Sequence, residues 1–231
     1  MIEHHPSPTK EHIAGLELFV GLGLDQITLI ATAAQAQSAF AELAPLPALG
    51  FDTESKPIFR KDQVSDGPHL VQFATAQRAY IFQLHQVECR QVVAELLASE
   101  SLRKIGFGLS ADRTQIQSKF GVWPNAVLDL DTLFRARGYR MSIGVKTAVA
   151  MLFNQRFVKS KRMTTSNWAN AQLTDAQLLY AANDAYSAIK VFEALGSPTS
   201  EEVDLDLSRH AATRPPANPA TKRSRRRRSE P

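Results

Sequence analysis

The sequence predicts a single α/β domain built on a mixed β-sheet flanked by helices. Three observations carry that prediction. Two short β-rich runs lie side by side, joined by a tight link of hairpin type. Strand-like runs then alternate with segments of helical period. The last part of the core, up to Leu195, reads as helical.

Each element has a local reason. Ser7-Pro8 predicts a short helix, with Ser7 as N-cap and Pro8 at the first helical position. Ile27 to Thr32 is a β-rich run, and Ala33 to Leu43 follows at helical spacing. Leu49 to Ser55 is a strand that ends in Asp-Thr-Glu-Ser. His69 to Ala74 and Ala79 to Leu84 are the two hairpin strands, with Thr75 to Arg78 between them. Gln91 to Ala98 is helical, Lys104 to Gly108 is a buried type of strand, Asp112 to Lys119 is helical, and Ala126 to Leu130 is a further strand. The final helix has the firmest ends. Thr174 and Gln177 form a capping box, Asp175 sits in the first turn, and Gly196 stands just past the end. Ala181, Ala182 and Ala185 leave room for that helix to lie close to the sheet. The expected organisation is an N-terminal helical extension over 1–22, a catalytic domain over 23–196, and a disordered basic tail over 197–231.

Charge is divided unevenly along the chain. Residues 209–231 carry eight Arg or Lys against one acid, so a net charge of +4 leaves the rest of the chain at −3. A mildly acidic body suits a site that gathers carboxylates around divalent cations. The run Arg225 to Arg228 suits an auxiliary contact with a polyanion. The lone cysteine, Cys89, excludes an intramolecular disulfide and points to a reducing, intracellular setting: cytoplasmic, or nuclear in a eukaryote. The six histidines show no zinc-finger spacing with it. No membrane span or signal peptide is legible, because Ile13 to Leu24 is broken by Glu17 and two glycines.

The chemistry concentrates in five residues. Tyr180 and Asp184 are four apart on a helix and share a face. Asp52 and Glu54 are two apart on a strand and share a face of the sheet. Asp112 opens a third element. Mg²⁺ and Mn²⁺ prefer hard oxygen ligands. Two such ions held by carboxylates from different elements can drive phosphodiester hydrolysis. In that arrangement Asp52 bridges both ions, Glu54 and Asp184 complete the shell of the first, and Asp112 supports the second. Tyr180 orients the attacking water, since a free phenol with a pKa of about 10 is a poor base. Each piece alone has an ordinary structural reading: a solvated strand end, a helix-start acid, a packed tyrosine. Their joint occurrence in this order is what singles them out.

These residues resemble the motifs of the DEDDy 3′–5′ exonucleases, the superfamily of ribonuclease D and the polymerase proofreading domains. Gly50-Phe-Asp-Thr-Glu is similar to the first motif, Lys104 to Asp112 to the second, and Leu179 to Tyr186 to the third. The Tyr180–Asp184 spacing marks the tyrosine branch. Gly106-Phe-Gly-Leu-Ser-Ala-Asp and the basic segment Lys159 to Trp168, ending in Ser-Asn-Trp, most resemble the exonuclease domain of the Werner syndrome helicase and its stand-alone relatives. The resemblance covers roughly residues 7–195. It implies an RNase H-like fold, two Mg²⁺ or Mn²⁺ ions, and release of 5′-nucleoside monophosphates from nucleic acid with a free 3′ end. DNA is favoured, with RNA the other candidate. Lys159, Lys161 and Arg162 either contact phosphates or form a solvated basic loop. Tyr186 is expected to pack, Trp168 to pack rather than stack on a base, and Phe107 to belong to the core, with a wedge near the terminal base as the alternative. The rival readings are an RNA-specific ribonuclease D-like enzyme and a non-catalytic nucleic-acid-binding scaffold of the same fold. The presence of all four carboxylates and of Tyr180 favours an enzyme.

Overall fold

The computed structural model describes residues 7–58 and 65–213. In chain order the elements are α1 (Lys10–Ala14), β1 (Glu17–Leu18), a 3₁₀ turn at Leu24–Gln26, β2 (Ile27–Ile30), α2 (Ala33–Leu43), β3 (Ala48–Glu54), β4 (Leu70–Ala74) and β5 (Ala79–Gln83). Then follow α3 (Val87–Ala98), β6 (Arg103–Gly106), α4 (Ser110–Phe120), β7 (Val127–Asp129), α5 (Leu130–Ala136), α6 (Val145–Phe153), β8 (Gln155–Arg156), α7 (Lys161–Thr164), α8 (Asp175–Ala194) and α9 (Ser200–Thr213).

Six strands form one mixed sheet in the order β2-β5-β4-β3-β6-β7. The hairpin neighbours β4 and β5 are antiparallel, as are β3 and β4. The pairs β2–β5, β3–β6 and β6–β7 are parallel, so β3 lies inside the sheet with an antiparallel strand on one side and a parallel one on the other. The expected mixed α/β sheet is therefore the observed one.

Period-two alternation divides the core into two layers. On one face Leu70, Ala74, Ala79, Ile81 and Ile105 pack against α8. On the other, Phe51, Val71, Phe73 and Phe82 share a cluster with residues of α2 and α3. The closest approach is between β3 and α8. A side chain at Gly50 would overlap the carbonyl oxygen of Ala185, so Gly50 sits where only hydrogen fits. Ala181, Ala182 and Ala185 are buried along the facing side of α8, as their small size suggested, and Ala188 is buried with them. The Thr174–Gln177 capping box is present at its start. Lys104 on β6 lies deep in the fold; it is buried and donates to the carbonyls of Ser99 and Leu102, at 2.7 Å each. Burial pulls its pKa down to about 8.

Four expectations need correction. The first helix is capped by Thr9, whose Oγ1 accepts from His12 N at 3.2 Å, so Ser7 and Pro8 stand outside it. Helix α3 begins at Val87, a turn before Gln91; Val87 is exposed, so the first turn shows no apolar period. The stretch after β7 is not wholly helical. Strands β1 and β8 pair in parallel through Glu17–Gln155 and Leu18–Arg156. Two-residue strands are too short for periodicity to reveal. Finally, residues 200–213 form α9 where a disordered tail was expected. Thr199 and Glu202 cap its start reciprocally, Val203 is buried, and Asp206 meets Arg137 at 3.0 Å. The arginine run at 225–228 lies outside the described residues.

Candidate active site

Strand β3 presents Gly50, Asp52 and Glu54 to the face covered by α8. Gly50 lets the helix approach, and the helix then brings Asp184 to the two strand carboxylates. Oxygens of Asp52, Glu54 and Asp184 all lie within 4.8 Å of one another. Thr53 points to the opposite face, where its hydroxyl donates to Asp112 Oδ1. Asp112 thus reaches the strand end from the α4 layer and stands outside the triad.

Three carboxylates this close repel one another, and burial raises the cost of their charge. Burial first, and Asp184 second, raise the pKa of Asp52 well above the carboxylate range. Glu54 is pushed up to about 10 by burial and then by Asp52. Asp112 and Asp184 are raised too, both mainly by burial, and Lys159 opposes the shift at Asp184. The Nζ of Lys159 lies 2.8 Å from Asp184 Oδ2. Burial disfavours its charge, but the Asp184 and Asp52 carboxylates outweigh that and hold it above the ordinary lysine range. One ammonium does not balance three carboxylates. Asp184 is only 6% exposed, and the groups that meet its carboxylate are Lys159 and the hydroxyl of Tyr180. A buried cluster of hard oxygens with too little positive charge around it suits divalent cations such as Mg²⁺ or Mn²⁺.

Tyr180, one turn before Asp184, is fixed on two sides. Its hydroxyl is 3.1 Å from Thr164 Oγ1 on α7, and its ring lies 5.7 Å from that of Trp168. Lys159 Nζ stands 5.5 Å from the ring centre. Burial and Asp184 raise its pKa to about 12, so it is a neutral phenol at physiological pH. Trp168 is buried, and Tyr186 packs on Phe19 at 6.1 Å, as expected of both. Phe107 packs at the edge of the core. The three basic residues separate: Lys159 points into the carboxylates, while Lys161 and Arg162 are exposed on α7.

Four contributors had no signal in the motif reading. Asp129, at the end of β7, accepts from Gly108 N at 3.1 Å, Leu109 N at 2.9 Å and Asp131 N at 3.0 Å. It thereby holds the left-handed turn at Gly108, from which α4 carries Asp112. Thr53 fixes Asp112 itself. Asn183 clamps the N-terminal segment to α8, accepting from Leu22 N at 2.7 Å and donating to Leu22 O at 3.3 Å. Gln72 is the register partner of Asp52; it is buried, with no described partner for either amide atom. Only the register of β4 against β3 brings it there, and that register is a tertiary fact.

A mixed sheet whose interior strand and covering helix bring carboxylates together beside a neutral tyrosine defines a nuclease class, the DEDDy type that gathers divalent cations. The chain belongs to the 3′–5′ exonuclease family, whose family model matches residues 27–199. It is 26% identical over 151 residues to the mouse bifunctional 3′–5′ exonuclease/ATP-dependent helicase WRN, covering 64% of this chain and 11% of that protein. It is also 26% identical over 149 residues to an Arabidopsis thaliana 3′–5′ exonuclease, covering 64% of this chain and 52% of that one. The chain therefore spans about half or less of the length of these relatives. The EXO domain of Aedes aegypti Nibbler superposes with a TM-score of 0.68 at 21% identity, covering 80% of this chain and 97% of that domain, a likeness of fold.

Proposed function

We propose that this chain is a two-metal-dependent 3′–5′ exonuclease that releases 5′-nucleoside monophosphates from nucleic acid. The observation that carries the proposal is the meeting of Asp52, Glu54 and Asp184 within 4.8 Å, on a strand and a helix held together at Gly50. When bound, two divalent cations activate a water and stabilise the leaving oxygen of a phosphodiester. Asp52, Glu54 and Asp184 would hold the first ion, with Asp52 shared and Asp112 supporting the second. The neutral phenol of Tyr180 orients the attacking water and does not remove its proton. Lys159 lies where it can follow the charge balance of the site, pairing with Asp184 or meeting a substrate phosphate.

DNA is the favoured substrate, on the likeness of the second motif and of Ser166-Asn167-Trp168 to the Werner-type domains, and RNA is the other candidate. The test is a paired degradation assay. Single-stranded DNA, recessed duplex DNA and RNA, each labelled at the 5′ end, are incubated with Mg²⁺ or Mn²⁺, with the 3′ hydroxyl free or blocked. Stepwise shortening from free 3′ ends with 5′-monophosphate products is expected. Internal cleavage, or equal loss from blocked ends, would contradict the proposal.

A further inference from the structure

The phenol of Tyr180 carries one proton and has two acceptors beside it. Its hydroxyl is 3.1 Å from Thr164 Oγ1, and it also meets the Asp184 carboxylate. The direction of that proton decides what the phenol oxygen can offer. Turned to Asp184, the hydroxyl presents a hydrogen to the carboxylate cluster. Turned to Thr164, it presents a lone pair there instead.

The hydrogen bonds of Thr164 favour the second direction. Thr164 has a single hydroxyl proton, and its Oγ1 donates to the carbonyl of Ser160 at 3.2 Å. That carbonyl is held in place, because the N–H groups of Met163 and Thr164 also donate to it at the start of α7. With its own proton given to Ser160, Thr164 meets the phenol as an acceptor. Donation therefore runs outward, from Tyr180 to Thr164 to the backbone. Asp184 has a donor besides the phenol, the Lys159 ammonium 2.8 Å from its Oδ2.

Thr164 is exposed, yet it is fastened beside the phenol. Gln177, the capping-box residue three before Tyr180, donates from Nε2 to Ser166 Oγ at 2.9 Å and to Asn167 O at 3.4 Å. This ties the segment after α7 to the start of α8. Trp168 is buried, and its ring lies 5.7 Å from that of Tyr180. Packing thus sets where the phenol ring lies, and the direction of its O–H bond is left to its hydrogen-bond partners.

We propose that Thr164 is a positioning residue for the reaction: it accepts the Tyr180 proton and so turns a lone pair of the phenol oxygen towards the carboxylates, where that oxygen accepts a hydrogen bond from the attacking water. The inference rests on the exonuclease reading and on the place of Tyr180 in it. A water that donates to the phenol keeps its own lone pairs free to meet phosphorus; one that accepts from the phenol has a lone pair engaged.

The test is a double-mutant cycle. The kcat and KM for release of the 3′-terminal nucleotide are measured on one 5′-labelled strand, in saturating Mg²⁺ or Mn²⁺, for wild type, Thr164→Val, Tyr180→Phe and the double variant. Valine keeps the branched shape of threonine and removes the hydroxyl. Thr164→Val is expected to lower kcat about five- to tenfold, the scale of one hydrogen bond, with KM unchanged. Thr164→Ser keeps the hydroxyl and is expected to restore most of the rate. In the Tyr180→Phe background, Thr164→Val is expected to change kcat by less than about twofold. The full loss in that background means that Thr164 acts on the fold and not on the phenol, and overturns the proposal; so does a wild-type kcat in Thr164→Val. Where Tyr180→Phe is too slow to measure, the contrast of valine with serine decides, and equal losses in the two overturn it. The melting temperature without metal, and its rise with Mn²⁺, are expected to match the wild type in Thr164→Val. A smaller rise places the effect on the carboxylates and also overturns the proposal. A wild type that releases no terminal nucleotide overturns the exonuclease reading itself, and the role of Thr164 with it.

Discussion

The carboxyl of Glu54 shows how one residue can link chemistry and stability. Its folded pKa, about 10, lies above the ordinary carboxyl value because burial and Asp52 oppose its charge. Between the two values the native state therefore holds a proton that the unfolded chain releases. Without metal, stability is highest below the unfolded value and is lost as pH rises towards the folded one. Divalent ions compete with that proton, so metal binding releases protons and restores stability. Glutamine mimics the protonated acid. Metal-free Glu54→Gln should melt at least as high as the wild type at pH 8, by a margin on the order of 2–4 °C per kcal/mol relieved. It should also lose most of the rise in melting temperature that Mg²⁺ or Mn²⁺ gives the wild type. Differential scanning fluorimetry across pH, with and without metal, checks both. A metal-free variant that melts well below the wild type would show that the carboxylate charge, not its proton, supports the fold.

Among the elements, the seating of α8 on β3 decides whether a site exists at all. Gly50 faces the backbone of Ala185, which cannot rotate out of the way as a side chain could. Gly50→Ala is expected to cost about 3 kcal/mol or more, the upper end for overpacking, read as a lower urea midpoint. A loss under about 1 kcal/mol would mean that the helix can ride higher on the sheet than it does here. The parts of this scaffold that were legible in the sequence are those that local rules specify. The Thr174 box, the hairpin at Thr75–Arg78 and the shared faces of Asp52 with Glu54 and Tyr180 with Asp184 follow from spacing alone. Contacts between distant segments were not legible. Asp129 falls inside a stretch that reads only as a strand, and the fold brings its carboxylate to Gly108 and Leu109. Strands β1 and β8 exist because the long stretch of chain between them folds back to align them, through Glu17–Gln155 and Leu18–Arg156. Lys159 read as one of three loop cations, yet it enters the carboxylate cluster that Lys161 and Arg162 do not reach.

At the scale of the whole molecule, a six-stranded sheet joins two unlike layers. The α8 layer supplies Tyr180 and Asp184; the opposite layer supplies Asp112 by way of Thr53; the sheet supplies Asp52 and Glu54. In the proposed arrangement Asp52 would be shared between the two ions, so the central claim depends on that carboxylate more than on any other. The direct measurement is the rate of 3′-terminal nucleotide release by wild type and Asp52→Ala, on the same 5′-labelled strand with saturating Mg²⁺ or Mn²⁺, with folding of both verified by circular dichroism. The account predicts stepwise shortening by the wild type and a loss of at least about a thousandfold in Asp52→Ala, on the scale of removing one preorganised charge-stabilising group. A folded Asp52→Ala protein that shortens the strand as fast as the wild type would contradict it.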